Sequence, residues 1–556
     1  MHFSSRGGEV NKPNIVSPGA CTSTVPNFSK HDRFWGTSMA SPYSVGVMSL
    51  LLSAARVEYP DVKIPSRLLY KAIEEGAVKM KGYDYVDQGS GYINVMNAWK
   101  VLKKYIKSNQ VAKFETYTVS SFAPNMPNNT AQSLYIRNGS FITKNQVYNY
   151  TVKRNNTINK YRFFRTYRLK SDSDWLLPLK RKTYIRNDQE IRVGVKIDKS
   201  KLTKPGLYNG MIYAYRADRS KFPEFDMMAT VVIPYEFNEA NKYTQSWDNI
   251  QLKPGELRRY FIQVPAGATS MKIKMSSDPK AYTYSWYFLH EPDGRQKDVA
   301  ILNSDNNDKD VVKYYSDLIP GVYELDVLGF FRASGLSTCN LSVEFSGVNM
   351  IDDNVLSSDH NSIKFVNEFN EMKRFSVSGK ILGYQKDYTI RLNKKDYYKI
   401  PFIVKENEAA KTFKVSISKE DFNKTTDFAM MIYDSTGKSV ALDGLTYDSQ
   451  TISLRNSFGP DSAKFSLVLR PAFAYAAGQM TIHVKEITSL KNKETFRVMH
   501  NNSSRVTFYP SVTEELNCTY KPLKNLPKDV KPYGKIYFNN TSNDKTELEI
   551  PVFFKF

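Results

Sequence analysis

The sequence predicts an α/β segment over residues 1–110 followed by several all-β sandwich modules. Two patterns carry the prediction. Between Thr37 and Ile106 apolar residues recur at helical spacing in three separate stretches, and beyond Lys107 they alternate with polar ones, as half-buried antiparallel strands do. With 556 residues the chain has room for about three to five domains, and its 32 Phe, 37 Tyr and 5 Trp exclude a wholly disordered polypeptide.

From Thr37 to Ala55 the residues are small or apolar with few charges, the pattern of a helix buried on nearly all sides. Pro65 at a start, Leu68, Leu69, Ala72 and Ile73 along one face, and Gly76 past the end predict a second helix. The glycines of Gln88-Gly89-Ser90-Gly91-Tyr92-Ile93-Asn94 mark a tight loop. Val95, Ala98, Val101, Leu102 and Ile106 then predict a third helix from about Asn94. Alternation is clearest in Ile191–Ile197 and Met271–Met275, and turn pairs such as Pro254-Gly255 and Asp293-Gly294 separate the strands.

LKPGELRRYFIQVPAGATSMKIKMSS from Leu252 is echoed by LNKKDYYKIPFIVKENEAAKTFKVSIS from Leu392, and KPGLYNGMIYAYR from Lys204 by KPYGKIYFNN from Lys531. These echoes predict two kinds of β module, each present twice, with the second kind nested inside the first. The expected divisions are an α/β segment 1–110, sandwiches 111–240, 241–350 and 351–490, and a C-terminal β module 491–556; the third sandwich repeats the second, and the last module repeats the first.

The net charge of +22 is spread along the chain, with Lys103-Lys104, Lys180-Arg181-Lys182 and Arg258-Arg259 far apart and acidic residues between them. Such spreading predicts a basic solvated surface, not a nucleic-acid groove. Cys21, Cys339 and Cys518 give neither a disulfide framework nor metal-ligand spacing, so no metal or other cofactor is expected and a reducing compartment fits. The longest apolar stretch, Val45–Ala55, is interrupted by Gly46, Ser49 and Ser53, so a membrane span is not expected; the first residues lack the apolar core of a secretory signal.

One segment carries chemistry. Gly36-Thr37-Ser38-Met39-Ala40-Ser41-Pro42 places Ser38 where a loop becomes a helix. Backbone N–H groups there are unpaired and the helix dipole favours negative charge, which suits a nucleophilic hydroxyl and a developing oxyanion. Gly36 allows close approach of a substrate, Ala40, Ser41 and Gly46 allow tight packing, and Pro42 is expected in the first turn. An ordinary capped helix would use the same residue types.

As an ordered pattern, however, these seven residues resemble the nucleophile motif of the subtilisin-like serine peptidases. Phe3-Ser4-Ser5-Arg6-Gly7, Lys12-Pro13-Asn14-Ile15-Val16-Ser17-Pro18-Gly19 and Gly89-Ser90-Gly91-Tyr92-Ile93-Asn94 resemble further segments of that family. Lys253–Thr269 and Leu202–Tyr208 are similar to the C-terminal extension of its tripeptidyl-peptidase II branch. The resemblance implies that residues 1–110 are the C-terminal part of a subtilisin-like α/β domain, followed by an immunoglobulin-like and then a galactose-binding-like sandwich. It makes Ser38 the nucleophile, with its own backbone N–H as an oxyanion donor. It further implies a cytoplasmic aminopeptidase that releases N-terminal tripeptides from peptide substrates through a serine acyl-enzyme, and that assembles into homo-oligomers.

The family places its Asp and His far upstream of the serine. Only 37 residues precede Ser38, and none of His2, His31, His290, His360, His483 and His500 has the family's His-Gly-Thr setting. Asp434-Ser435-Thr436-Gly437 copies an Asp-Ser/Thr-Gly motif but falls between strands, where a β-turn explains it. The expectation is therefore a peptidase portion with no catalytic Asp or His of its own, inactive by itself and partnered by a missing N-terminal peptidase part, with an exposed apolar face where the rest of the parallel sheet belongs. The alternative is a non-catalytic assembly or binding protein of β-sandwiches, with a vestigial peptidase segment.

Overall fold

The structure, a computed structural model, describes residues 4–22, 33–144, 146–156, 159–217, 222–393, 396–445, 448–457, 463–472, 478–524, 526–542 and 544–556. It is mostly β. Among the described residues of the first 110 are four α-helices, α1 (Thr37–Glu58), α2 (Ser66–Gly76), α3 (Tyr85–Gln88) and α4 (Val95–Lys107). Their only sheet among the described residues is an antiparallel pair, Ala20–Thr22 with Arg33–Trp35. The expected α/β layering is thus not formed by these residues, because no run of parallel strands stands against the helices.

Helices α2 and α4 pack closely, with Leu68, Leu69, Ala72 and Ile73 of the first against Ala98 and Leu102 of the second, all buried. Asn94 caps α4, its side chain accepting from the Asn97 amide at 2.9 Å. Helix α1 is not buried on nearly all sides and carries instead the exposed apolar face expected of a partial domain. Only Val47, Leu51 and Ala55 are buried, one stripe that meets α2 and α4, while Tyr43, Val45, Leu50 and Val57 are exposed. A sequence suited to burial all round is left with one apolar face uncovered. By length, about 33 Å for its 22 residues, and by composition this helix also meets the requirement for a bilayer span.

The first sandwich packs two five-stranded sheets. One runs in the order Thr130–Ala131, Tyr117–Phe122, Tyr148–Arg154, Ile191–Ile197, Leu176–Pro178; the other Leu134–Ile136, Pro223–Ile233, Gly206–Arg216, Phe164–Ser171, Lys182–Arg186. Every pairing is antiparallel except Leu134–Ile136 on Ala229–Val231. Between the sheets lie Tyr150, Val152, Tyr167, Val195, Ile212 and Met227, and the Tyr150 hydroxyl donates to the Met228 carbonyl. The second sandwich packs Thr244–Leu252, Ser337–Ser346, Ser270–Ser277 and Asp310–Tyr315 on Leu257–Gln263, Val322–Gly329, Tyr284–His290 and Gln296–Asn303, around Tyr287, Tyr323 and Phe345.

The remaining residues form two cores that share two 20-residue strands, Lys373–Leu392 and Met480–Met499. These pair through Gly379–Ile381 with Glu494–Phe496 and then, after an irregularity, through Gly383–Leu392 with Met480–Ser489. Their far halves join Glu408–Ile417 and face a four-stranded sheet, around Phe402, Phe413, Met430 and Leu467. Their near halves join Lys531–Asn540, Arg505–Phe508 and Thr513–Thr519 around Phe365, Phe375, Phe508 and Phe538. The division expected at 490/491 is therefore crossed by a continuous strand, and the nesting is reversed. The module that begins near Leu392 is inserted into the C-terminal one, which draws strands from both Val348–Ile381 and the last 60 or so residues.

Candidate active site

The segment leading to Ser38 is held from two sides. Val16 donates to the Gly91 carbonyl and Ile93 to the Val16 carbonyl, both at 2.9 Å, so the Lys12–Gly19 segment and the glycine loop are stitched together. From there the chain reaches Gly19, whose carbonyl accepts the Gly36 amide at 2.7 Å. Gly36 is the residue before α1, with φ +156°, a backbone state costly for any side chain. Its carbonyl accepts the amides of Met39 and Ala40 at 3.1 and 3.3 Å and closes the first turn. Ser17 braces that turn: its hydroxyl donates to the Ala40 carbonyl at 2.8 Å and lies 2.9 Å from the Ser44 hydroxyl.

Ser38 is the second residue of α1 and is exposed. Among the described residues its hydroxyl makes no hydrogen bond, and neither its amide nor that of Thr37 has a backbone partner. The site therefore offers a free hydroxyl beside free N–H groups at the positive end of a 22-residue helix. Pro42 stands in the second turn and not, as expected, in the first. Its missing N–H is the one that would bond the Ser38 carbonyl in a regular helix.

His2 and His31 lie outside the described residues. His290, His360, His483 and His500 all belong to the β modules. The Asp434 motif is a turn between Asp427–Asp434 and Ser439–Gly444, its carboxylate accepting the amides of Thr436 and Lys438 at 2.9 and 3.0 Å. Among the described residues no group of three or more His, Cys, Asp or Glu is placed to hold a metal ion.

Two features near this segment had no signal in the sequence. Arg6 pairs with Asp87 at 2.6 Å, and both Arg6 and Arg259 act on the buried Asp326 of the second sandwich. Burial and the neighbouring Glu324 push the Asp326 carboxyl well above the usual range; Arg259, 2.5 Å from Glu324, holds that partner below it against its own burial. His290, 3.7 Å from Asp326, is pulled down by burial. The second feature is the ring of Trp35, which lies 6.2 Å from that of Phe331 and 5.5 Å below the Arg332 guanidinium. Neither pairing is visible in one dimension, since each joins the first 90 residues to the second sandwich, more than 200 residues away.

The subtilase family matches residues 1–92, the stretch that contains Ser38. Pyrolysin of Pyrococcus furiosus is 30% identical over 310 residues, which is 52% of this chain and 20% of that protein. Tripeptidyl-peptidase 2 of Drosophila melanogaster is 24% identical over 365 residues, 60% of this chain and 24% of the relative. Both likenesses thus continue past residue 92 into the sandwiches. The crystal structure of tripeptidyl peptidase 2 superposes over 93% of this chain and 46% of its own, with a TM-score of 0.63 at 16% identity, a likeness of fold. The chain is subtilisin-like and related to tripeptidyl-peptidase II. Its matches span about a fifth to a quarter of the length of these curated relatives. In this subtilase-related chain, the knitted segments 12–19, 36–42 and 89–94 are among those that the sequence resemblance rests on.

Proposed function

We propose that this chain supplies the nucleophile and the C-terminal scaffold of a serine peptidase of tripeptidyl-peptidase II type. Ser38 Oγ attacks the substrate carbonyl and the Ser38 amide donates to the oxyanion; the scissile C–N bond then breaks, the amine leaves with the proton taken from Ser38, and water hydrolyses the acyl-enzyme on Oγ. The aspartate and the histidine that takes the Ser38 proton come from polypeptide outside this sequence, and the uncovered face of α1 is where that polypeptide packs. The observation that supports this most is the exposed, unbonded Ser38 hydroxyl in the first turn of a long helix, inside the stretch that the subtilase family matches. On this reading the complete enzyme is cytoplasmic and homo-oligomeric, removes N-terminal tripeptides and needs no cofactor.

The test joins this chain to the preceding subtilase segment and measures hydrolysis of tripeptide-amide substrates. The joined protein is expected to turn over, and Ser38→Ala to stop it. The chain alone is expected to be inert, since loss of the base costs on the order of 10⁶ in turnover in subtilisin. A joined protein without activity, or one whose activity survives Ser38→Ala, refutes the assignment.

A further inference from the structure

Trp35 stands three residues before Ser38, so their Cα atoms are no more than about 11 Å apart, three steps of 3.8 Å. Its ring is 42% exposed. The turn that joins Val322–Gly329 to Ser337–Ser346 in the second sandwich reaches this spot. Phe330 is buried on Trp286, with rings stacked at 4.7 Å, and anchors the turn; the Ala333 amide closes it on the Phe330 carbonyl at 2.9 Å. The next two side chains, Phe331 and Arg332, project over Trp35, and Arg332 lies 5.5 Å from the Trp35 ring and 5.3 Å from that of Phe331. Arg332 is exposed and, among the described residues, has no carboxylate within ion-pair distance.

Other arginines that touch the first 90 residues or the second sandwich meet carboxylates. Arg6 meets Asp87, Arg137 meets Glu9, and Arg259 meets Glu324. Cation–π attraction to the two rings holds the guanidinium beside them without using its N–H groups, which can therefore meet a bidentate anion. An extended peptide advances about 3.4 Å per residue, so one bound at Ser38 reaches the aromatic–arginine wall within about three residues of the scissile bond.

We propose that Trp35, Phe331 and Arg332 form a substrate subsite in which the two rings take the apolar body of a peptide residue and Arg332 pairs with its carboxylate, so that the second sandwich contributes directly to specificity for acidic peptides. This rests on the peptidase reading of Ser38, and the alternative role for the same contact is to fasten the sandwich to the peptidase segment.

The experiment compares peptides that differ only by Glu or Gln at each of the three positions on either side of the scissile bond. Their hydrolysis is followed in the protein joined to its preceding subtilase segment, and their binding by anisotropy in the Ser38→Ala chain. At one position Glu is expected to be favoured by about three- to tenfold, the range of a partly exposed charge-assisted pair. Arg332→Gln should erase that preference by lowering hydrolysis of the Glu peptides more than that of the Gln peptides, Arg332→Lys should keep part of it, and added salt should weaken it. Equal preference in the wild type and Arg332→Gln, or an equal loss on Glu and Gln peptides, overturns the subsite and leaves only a fastening role. Absence of hydrolysis with a persisting Arg332-dependent difference in binding refutes the peptidase reading and sustains the subsite.

Discussion

Glu75 makes the packing of α2 on α4 sensitive to pH. It sits in the last turn of α2 with its side chain only 13% exposed. The Tyr105 hydroxyl of α4 donates to it at 3.2 Å, Lys71 stands 3.9 Å away, and its second oxygen has no hydrogen-bond partner. Burial dominates and lifts the carboxyl to about 7, with Lys71 and Tyr105 opposing. The native state therefore holds the proton more tightly than the unfolded chain. Stability is full below the ordinary glutamate range and is lost as pH rises through about 7; a gap of about 2.5 units at ~1.36 kcal/mol each makes the loss about 3 kcal/mol. Glu75→Gln removes it, and Lys71 keeps Asp226 and Glu74 as charge partners. Amide hydrogen exchange over Ser66–Gly76 and Val95–Lys107, corrected for intrinsic rates, reads the opening of this unit within the full chain. Wild-type protection is expected to fall about 100-fold between pH 5 and pH 8, and that of the Gln variant to stay nearly level. An equal fall in both refutes the burial argument.

Further perturbations address the frame around the site. Ser17→Ala removes the hydroxyl that bridges Ala40 and Ser44, and should cost about 1 kcal/mol, read as faster exchange at the start of α1. A Cβ at Gly383 would lie 1.8 Å from the Thr488 carbonyl oxygen, so Gly383→Ala should cost about 4 kcal/mol or more in thermal unfolding of the last two modules. Gly437→Ala, strained by φ +85° but with open space around it, should cost only about 1–2 kcal/mol in the same assay. Phe369 is buried and stacked on Tyr243 at 3.7 Å, so Phe369→Ala should cost about 3–5 kcal/mol and expose the joint between the second sandwich and the last module to limited proteolysis.

What the sequence revealed follows from which interactions are local. The apolar stripe of Leu68, Leu69, Ala72 and Ile73 and the cap at Asn94 act within a few residues, and the helices form where these signals place them. Alternation in Ile191–Ile197 and Met271–Met275 likewise marks strands with alternating burial. The seven residues around Ser38 were legible because order within a short motif is itself local information. Helix α1 has the composition of a helix buried nearly all round, and its uncovered face is the exposed apolar face expected of a partial domain: composition records the environment a helix is suited to, and the cover it needs is not among the described residues. The shared strands were missed for a different reason: period-two alternation continues unchanged from one core to the next, so nothing marks the crossing at Ile381–Gly383 or near Ser489. The Arg332 contact and the Arg6–Asp326 junction depend on residues hundreds of positions apart.

Two strands of 20 residues, each about 66 Å when extended, give the C-terminal half of the molecule a single spine. The hydrogen-bonded ladder ties the two lobes together along these strands, broken in register between Ile381 and Gly383. That spine meets the second sandwich at the Phe369–Tyr243 stack and at Lys373, which bonds Glu344 at 2.8 Å. The last two modules thus rest on the same sandwich whose turn lies against Trp35.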